Sequence, residues 1–214
     1  MGNPGALAKK ARRRAPVARR GQRLPAVWLV SDPVRLPDPM AAAARLPRGS
    51  GVLARGASAA VRARLADLAR RRDMVLLVAG DGRAALAAGA GLHVPDRRPA
   101  SGLLPFLLAR RAGAPGAMLT IAAHGGAASA ARARRLRPDL AFLSPLFATR
   151  SHPGATALGP LRWQAAARRL GVPAVALGGV SAATIARVPW QAVGFAAIDG
   201  LAPQAVAAPP HCLR

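Results

Sequence analysis

Met74-Val75-Leu76-Leu77-Val78-Ala79 is an unbroken apolar run, followed at once by Gly80-Asp81 and then by a stretch rich in Ala, Leu and Arg. A half-buried strand alternates apolar and polar residues. A strand apolar on every side suits a sheet covered on both faces, as parallel sheets are. The same order of elements recurs outward from this run. Strands are predicted at Ala26–Ser31, Gly51–Arg55, Met74–Ala79, Gly91–Val94, Ala117–Ala122, Leu140–Ser144, Ala174–Gly178 and Gly194–Ile198. Helices are predicted near Pro39–Leu46, Ala57–Arg72, Arg83–Ala88, Leu103–Ala112, Ala127–Leu136, Leu161–Leu170, Ala182–Arg187 and Pro203–Ala208. Strand-then-helix alternation means βα units. Eight of them close a (β/α)8 TIM barrel, here a small single α/β domain over residues 24–214 with short loops. A doubly wound open sheet is the alternative. The count of eight, and the lack of a GxGxxG turn, favour the barrel.

The charge asks a different question. The chain has 214 residues, with 32 Lys+Arg against 8 Asp+Glu, a formal net charge of +24. All the acids are Asp, and only Lys9 and Lys10 are lysines. A disordered chain would be poorer in apolar residues than the 52% found here. The single Cys, Cys212, excludes an internal disulfide framework and a Cys-based zinc site within one chain. Residues 1–23 carry eight basic residues and no acid, without apolar periodicity, and read as a solvated, disordered basic arm. The arm lacks the apolar core of a secretory signal, and no later stretch is apolar enough to span a bilayer. A cytoplasmic location is expected. Many body arginines fall in Val61–Arg72 and Ala127–Arg137, where they read as solvated helix faces. They are not interleaved with aromatics, as a base-stacking surface would be. A GC-rich coding sequence, which favours Arg, Ala, Gly and Pro, explains the same composition.

In such a barrel, function lies where strands end and βα loops begin. The predicted strand ends carry Asp32, Arg55, Gly80-Asp81, His93 with Asp96, and His124. The later ends carry the loop from Ser144 to His152, then Gly178-Gly179, then Asp199-Gly200. Three of the four histidines and four of the eight aspartates thus fall on one rim. Gly178-Gly179, after an apolar strand and before a predicted helix, suits a phosphate cradle, since glycine lets backbone amides approach an anion. A plain turn needing positive φ would use the same residues. Asp81 and Asp96 could share Mg2+ through their oxygens. Equally, Asp81 could cap the helix that follows it. Arg55 could hold a phosphate with its fork of donors. His124 could exchange a proton with a bound heterocycle. Thr149 and Ser151 offer hydroxyls and His152 a cation, whereas His93, within an apolar strand, reads as a packing residue.

These residues assemble into a pattern that resembles the thiamine-phosphate synthase/TenI superfamily over roughly residues 25–202. The segments that carry the likeness are VWLVSD (27–32), GAGLHVPD (89–96), AAHGG (122–126), LAFLSPLFATRSHPG (140–154), ALGP (157–160) and VPAVALGGV (172–180). The resemblance implies a transferase of thiamine biosynthesis. It would join hydroxymethylpyrimidine diphosphate to thiazole phosphate with Mg2+, releasing pyrophosphate. It implies catalytic roles for His124 and Arg55, and metal binding by Asp81 and Asp96. Substrate phosphates would contact Arg55, Thr149, Ser151, His152, Gly178 and Gly179.

The sequence departs from the family's pattern in one direction. The strand-two VQLRxK becomes Val52-Leu53-Ala54-Arg55-Gly56-Ala57, keeping the Arg but not the Gln or Lys. The second metal Asp of strand four would fall at Arg98, leaving Asp96 as a displaced substitute. The strand-six Lys becomes His152, and the phosphate-holding Ser of strand eight becomes Asp199, whose charge should repel a phosphate. Each lost charge-assisted contact costs about 1.5–3 kcal/mol, so altered or lost synthase activity is expected. Arginine drift does not explain Ala57 or His152. Three functions follow as expectations. They are a divergent synthase, a TenI-like thiazole tautomerase or heterocycle-binding protein, and a non-enzymatic protein binding nucleic acid through the basic arm. The expected partners are small phosphorylated heterocycles. Nucleic acid ranks well below them, no membrane is expected, and a homo-oligomer is compatible.

Overall fold

The computed structural model describes residues 18–19, 22–96, 98–150, 154 and 156–201. Eight parallel strands close into a barrel. They are β1 (Val27–Val30), β2 (Gly51–Ala54), β3 (Val75–Ala79), β4 (Gly91–Val94), β5 (Leu119–Ala123), β6 (Leu140–Leu143), β7 (Ala174–Leu177) and β8 (Gly194–Ala197). Each pairs with its neighbour in sequence, and β8 returns to β1 through Phe195↔Val27 and Ala196↔Trp28. The TIM barrel expected from the apolar runs is therefore the fold. Helices α1 (Met40–Ala44), α2 (Ala59–Arg71), α3 (Gly82–Ala87), α4 (Leu103–Arg111), α5 (Ala127–Leu136) and α6 (Gly159–Leu170) follow β1 to β6. None of the helices among the described residues is long and apolar enough to cross a membrane.

Period two divides the strand residues into two cores. Val27, Leu29, Val52, Leu76, Leu92, Leu119, Ile121 and Phe195 face outward and join helix residues such as Leu65, Phe106, Trp163 and Ala166. Trp28, Val30, Leu53, Leu77, Phe142, Val175 and Ala196 fill the barrel interior. The Trp28 indole takes space from its neighbour: a Cβ on Gly51 would lie 2.1 Å from Trp28 Cε3. Glycine there is a packing requirement of the interior. Trp28 Nε1 donates to Pro25 O at 2.8 Å, so the buried indole keeps a partner.

Two expectations change. The helix predicted at Ala182–Arg187 is a single 3-10 turn, Ile185–Arg187. Thr184 Oγ1 accepts from the Ser181 amide at 2.9 Å and donates to Gly179 O at 2.8 Å, which folds this stretch back as a turn. Within residues 1–23, read as wholly disordered, Ala18–Arg19 pairs antiparallel with Gln22–Arg23. The helix predicted at Pro203–Ala208 lies outside the described residues.

Candidate functional site

The strand ends of β1, β2, β6, β7 and β8 open into one cavity of about 230 Å3. Val30, Pro145, Leu177, Val180 and Ile198 give it apolar walls. Arg35, Arg55, Arg150, Thr149, Ser181 and Asp199 bring polar groups to the same space. Of the residues singled out in the sequence, Arg55, Thr149, Gly178 and Gly179 meet here. Ser151 and His152 lie outside the described residues.

The glycine pair has φ of +95° at Gly178 and +65° at Gly179. A Cβ at Gly178 would come 2.8 Å from Pro145 Cα, and one at Gly179 would come 2.4 Å from Ala148 O. The loop after β6 therefore rests directly on the end of β7. Leu146 donates to Leu177 O at 2.8 Å, and Phe147 donates to Gly178 O at 3.0 Å. Both glycines are required by this close approach, and the same approach bares the backbone at the floor of the cavity.

A chain of charges surrounds that floor. Asp32 Oδ1 accepts from the amides of Val34 (3.2 Å) and Arg35 (3.1 Å). Its Oδ2 lies 3.2 Å from Arg35 Nη2 and 3.3 Å from Arg55 Nη2. Burial raises the Asp32 pKa, but these amides and the Arg35 guanidinium outweigh it and hold the carboxyl below its usual range. Arg35 Nη1 also reaches Asp199 Oδ2 at 3.1 Å, and Arg150 Nη2 reaches the same oxygen at 3.0 Å. The sequence reading had Asp199 simply repelling a phosphate. In the structure it is a carboxylate bridged by two arginines. Arg35 was missed altogether; its only signal was its place three residues after Asp32, in the first βα loop.

A second group sits beside the cavity. His124 Nδ1 lies 3.0 Å from Ser144 O, and Ser144 lines the cavity. A carbonyl only accepts, so Nδ1 carries a hydrogen. Nε2 stands 3.5 Å from Asp96 Oδ2. Asp96 Oδ1 is 3.4 Å from Arg132 Nη1, and the Arg132 guanidinium also donates to the carbonyls of Val94, Pro95 and Ala122. Burial lowers the Arg132 pKa, Asp96 works against that shift, and Arg135 adds to it. Arg132 was read as part of a solvated helix face. Only 14% of its side chain is exposed, and it ties α5 to the ends of β4 and β5.

The residues expected to hold Mg2+ do not fit that ion. Asp81 caps α3, accepting from the Ala84 amide at 3.0 Å. Asp96 faces the Arg132 guanidinium, which occupies the electrostatic place of a cation. Among the described residues no three His, Cys, Asp or Glu side chains come together to hold a metal. Arg98 is exposed and does not line the cavity.

Residues 54–201 match the sequence model of the family described as Thiamine monophosphate synthase (TMP-TENI). The chain belongs to the thiamine monophosphate synthase family. The matched span contains the ends of β2 to β8, and hence most of the cavity of this family member. Its fold is similar to that of thiamine phosphate pyrophosphorylase from Pyrococcus furiosus, with a TM-score of 0.61 and 17% identity, over 81% of this chain and 85% of that one. None of the curated proteins compared with the chain matches it.

Proposed function

We propose that the rim cavity binds a heterocyclic thiamine precursor, and that the chain is a thiamine-phosphate-synthase-like protein with a strongly attenuated joining reaction. In that reaction the bond from the pyrimidine methylene to diphosphate breaks, and pyrophosphate leaves with the electron pair. The thiazole nitrogen then forms the new C–N bond. The observation that carries the reading is the convergence of Arg35, Arg55, Arg150, Thr149 and the bare Gly178-Gly179 backbone in one cavity at the carboxyl ends of the strands. Arg55 would hold an anionic group by its fork, and the glycines would let the ligand rest against the backbone. His124, held by Ser144 O beside the cavity, would exchange a proton with the ligand.

Attenuation follows from charge. Diphosphate departure needs concentrated positive charge at the leaving group. Here Asp32 and Asp199 already compensate the cavity arginines. Two lost contacts at about 1.5–3 kcal/mol each slow departure by roughly two to four orders of magnitude. The assay is thiamine phosphate formation from both substrates, with Mg2+ supplied, against the Pyrococcus furiosus protein as reference. A rate at least a hundredfold lower is expected; an equal rate would refute the attenuation. A second reading, TenI-like handling of a single heterocycle, is favoured by the His124 arrangement, which needs no diphosphate clamp. Ring-proton exchange or isomerisation of a thiazole, lost in His124→Gln, would support it; no change in the thiazole with excess protein would reject it.

A further inference from the structure

The Arg35–Asp199–Arg150 bridge joins three loops, after β1, β8 and β6, in the lining of the cavity. The fold gains little from it. The Arg150 side chain is 81% exposed and that of Asp199 is 41% exposed, and exposed ion pairs contribute little stability. Both guanidinium contacts fall on Asp199 Oδ2, at 3.1 and 3.0 Å. A carboxylate oxygen between two guanidinium groups holds the place that an oxygen of a bound phosphate would hold.

We infer that Asp199 is a built-in counter-anion that sets the cavity for an uncharged heterocyclic alcohol in preference to its phosphate ester. This rests on the reading of the cavity as the precursor site. Three observations converge on it. First, among the described residues the local charges are Arg35, Arg55 and Arg150 against Asp32 and Asp199, a balance of one positive charge. A phosphate monoester brings about −1.5 to −2 at neutral pH, so it must displace Asp199 or sit beside it. Second, both arginine contacts fall on Asp199 Oδ2, and Oδ1 would accept from a ligand hydroxyl, which an ester cannot donate. A carboxylate that rewards the hydroxyl and repels the phosphate discriminates in both directions at once. Third, the cavity of about 230 Å3 is smaller than the roughly 300–1,000 Å3 of pockets for larger ligands. It suits one small ring with a short polar arm, and Val30, Leu177, Val180 and Ile198 give that ring apolar contact.

The test is titration calorimetry of the full chain with 4-methyl-5-(2-hydroxyethyl)thiazole and with its phosphate ester. The wild type, Asp199→Asn and Asp199→Ser are compared, with thermal unfolding confirming that each is folded. The wild type is expected to bind the alcohol at least as tightly as the ester. Both variants are expected to shift the affinity ratio tenfold or more toward the ester. A wild type that prefers the ester tenfold, with a ratio unmoved by either substitution, overturns the role of Asp199 and leaves the cavity reading standing. Binding of neither compound at millimolar concentration, in any of the three proteins, overturns the cavity reading and the role of Asp199 with it.

Discussion

His93 offers a quantitative test of the barrel interior. Its side chain points inward from β4, is almost fully buried, and sits edge-on to Phe142 with ring centroids 5.2 Å apart. Its Nδ1 lies 3.0 Å from Thr120 Oγ1, whose hydroxyl can donate to Leu92 O at 3.4 Å. With Nδ1–H donating to the threonine oxygen, the ring is held as neutral imidazole. Burial, then the positive charges of Arg55 and Arg132, push its pKa from 6.5 down to about 3. Between these values the unfolded chain takes up a proton that the folded chain refuses. The folded pKa is the lower one, so stability is complete above pH 6.5 and falls as the pH drops toward 3. The slope approaches about 1.36 kcal/mol per pH unit. Going from pH 7 to pH 5 thus costs about 2 kcal/mol, because 1.5 units of the interval lie below 6.5. Urea unfolding of the wild type and His93→Leu, in half-unit steps from pH 7 to pH 5, measures this. Most carboxylates stay ionised in that range, and the other histidines contribute alike to both proteins. The stability of the wild type relative to the variant should fall by about 2 kcal/mol. Parallel curves for the two proteins would refute a buried neutral His93.

Three further outcomes are expected. Gly179→Ala places a Cβ 2.4 Å from Ala148 O at a φ of +65°; it should cost more than the ~1–2 kcal/mol of left-handed strain alone and abolish heterocycle binding, both readable by thermal unfolding and calorimetry. Arg110 Nη2 pairs with Asp139 Oδ1 at 2.8 Å, with side chains 9% and 6% exposed. Arg110→Ala should therefore lose about 3–5 kcal/mol in urea unfolding by taking the guanidinium from a buried carboxylate. Calorimetric titration of the ligand-free chain with Mg2+ should show no saturable site, because Asp96 is engaged by Arg132 and His124; a saturable one-to-one isotherm lost in Asp81→Asn would contradict that reading.

The barrel was legible because its strands are buried on both faces, which writes them as continuous apolar runs such as residues 75–79. The rim was legible as a set of strand ends, since βα order alone places Arg55, Thr149 and Gly178-Gly179 on one side. What could not be read was pairing across loops distant in sequence. Arg35 and Asp199 are 164 residues apart, and nothing local distinguishes Arg35 in a chain so rich in arginine. Arg132 was hidden differently: it follows the helical period of its solvated neighbours, yet its long side chain turns back over the strand ends to reach three carbonyls. The turn at Ile185–Arg187 was missed because Ala182-Ala183 carries helix propensity, while the Thr184 hydroxyl bonds to Ser181 and Gly179 and overrides it.

The central claim is that the cavity between the Gly178-Gly179 floor and the Arg55–Asp32–Arg35 chain of charges is where a thiamine-precursor heterocycle binds. A crystal structure of the chain soaked with 4-methyl-5-(2-hydroxyethyl)thiazole tests it most directly. The expected result is a ring lying against Leu177, Val180 and Ile198, with its hydroxyl within hydrogen-bond distance of Asp199. A ring bound elsewhere on the barrel, with this cavity filled only by water, would contradict the account.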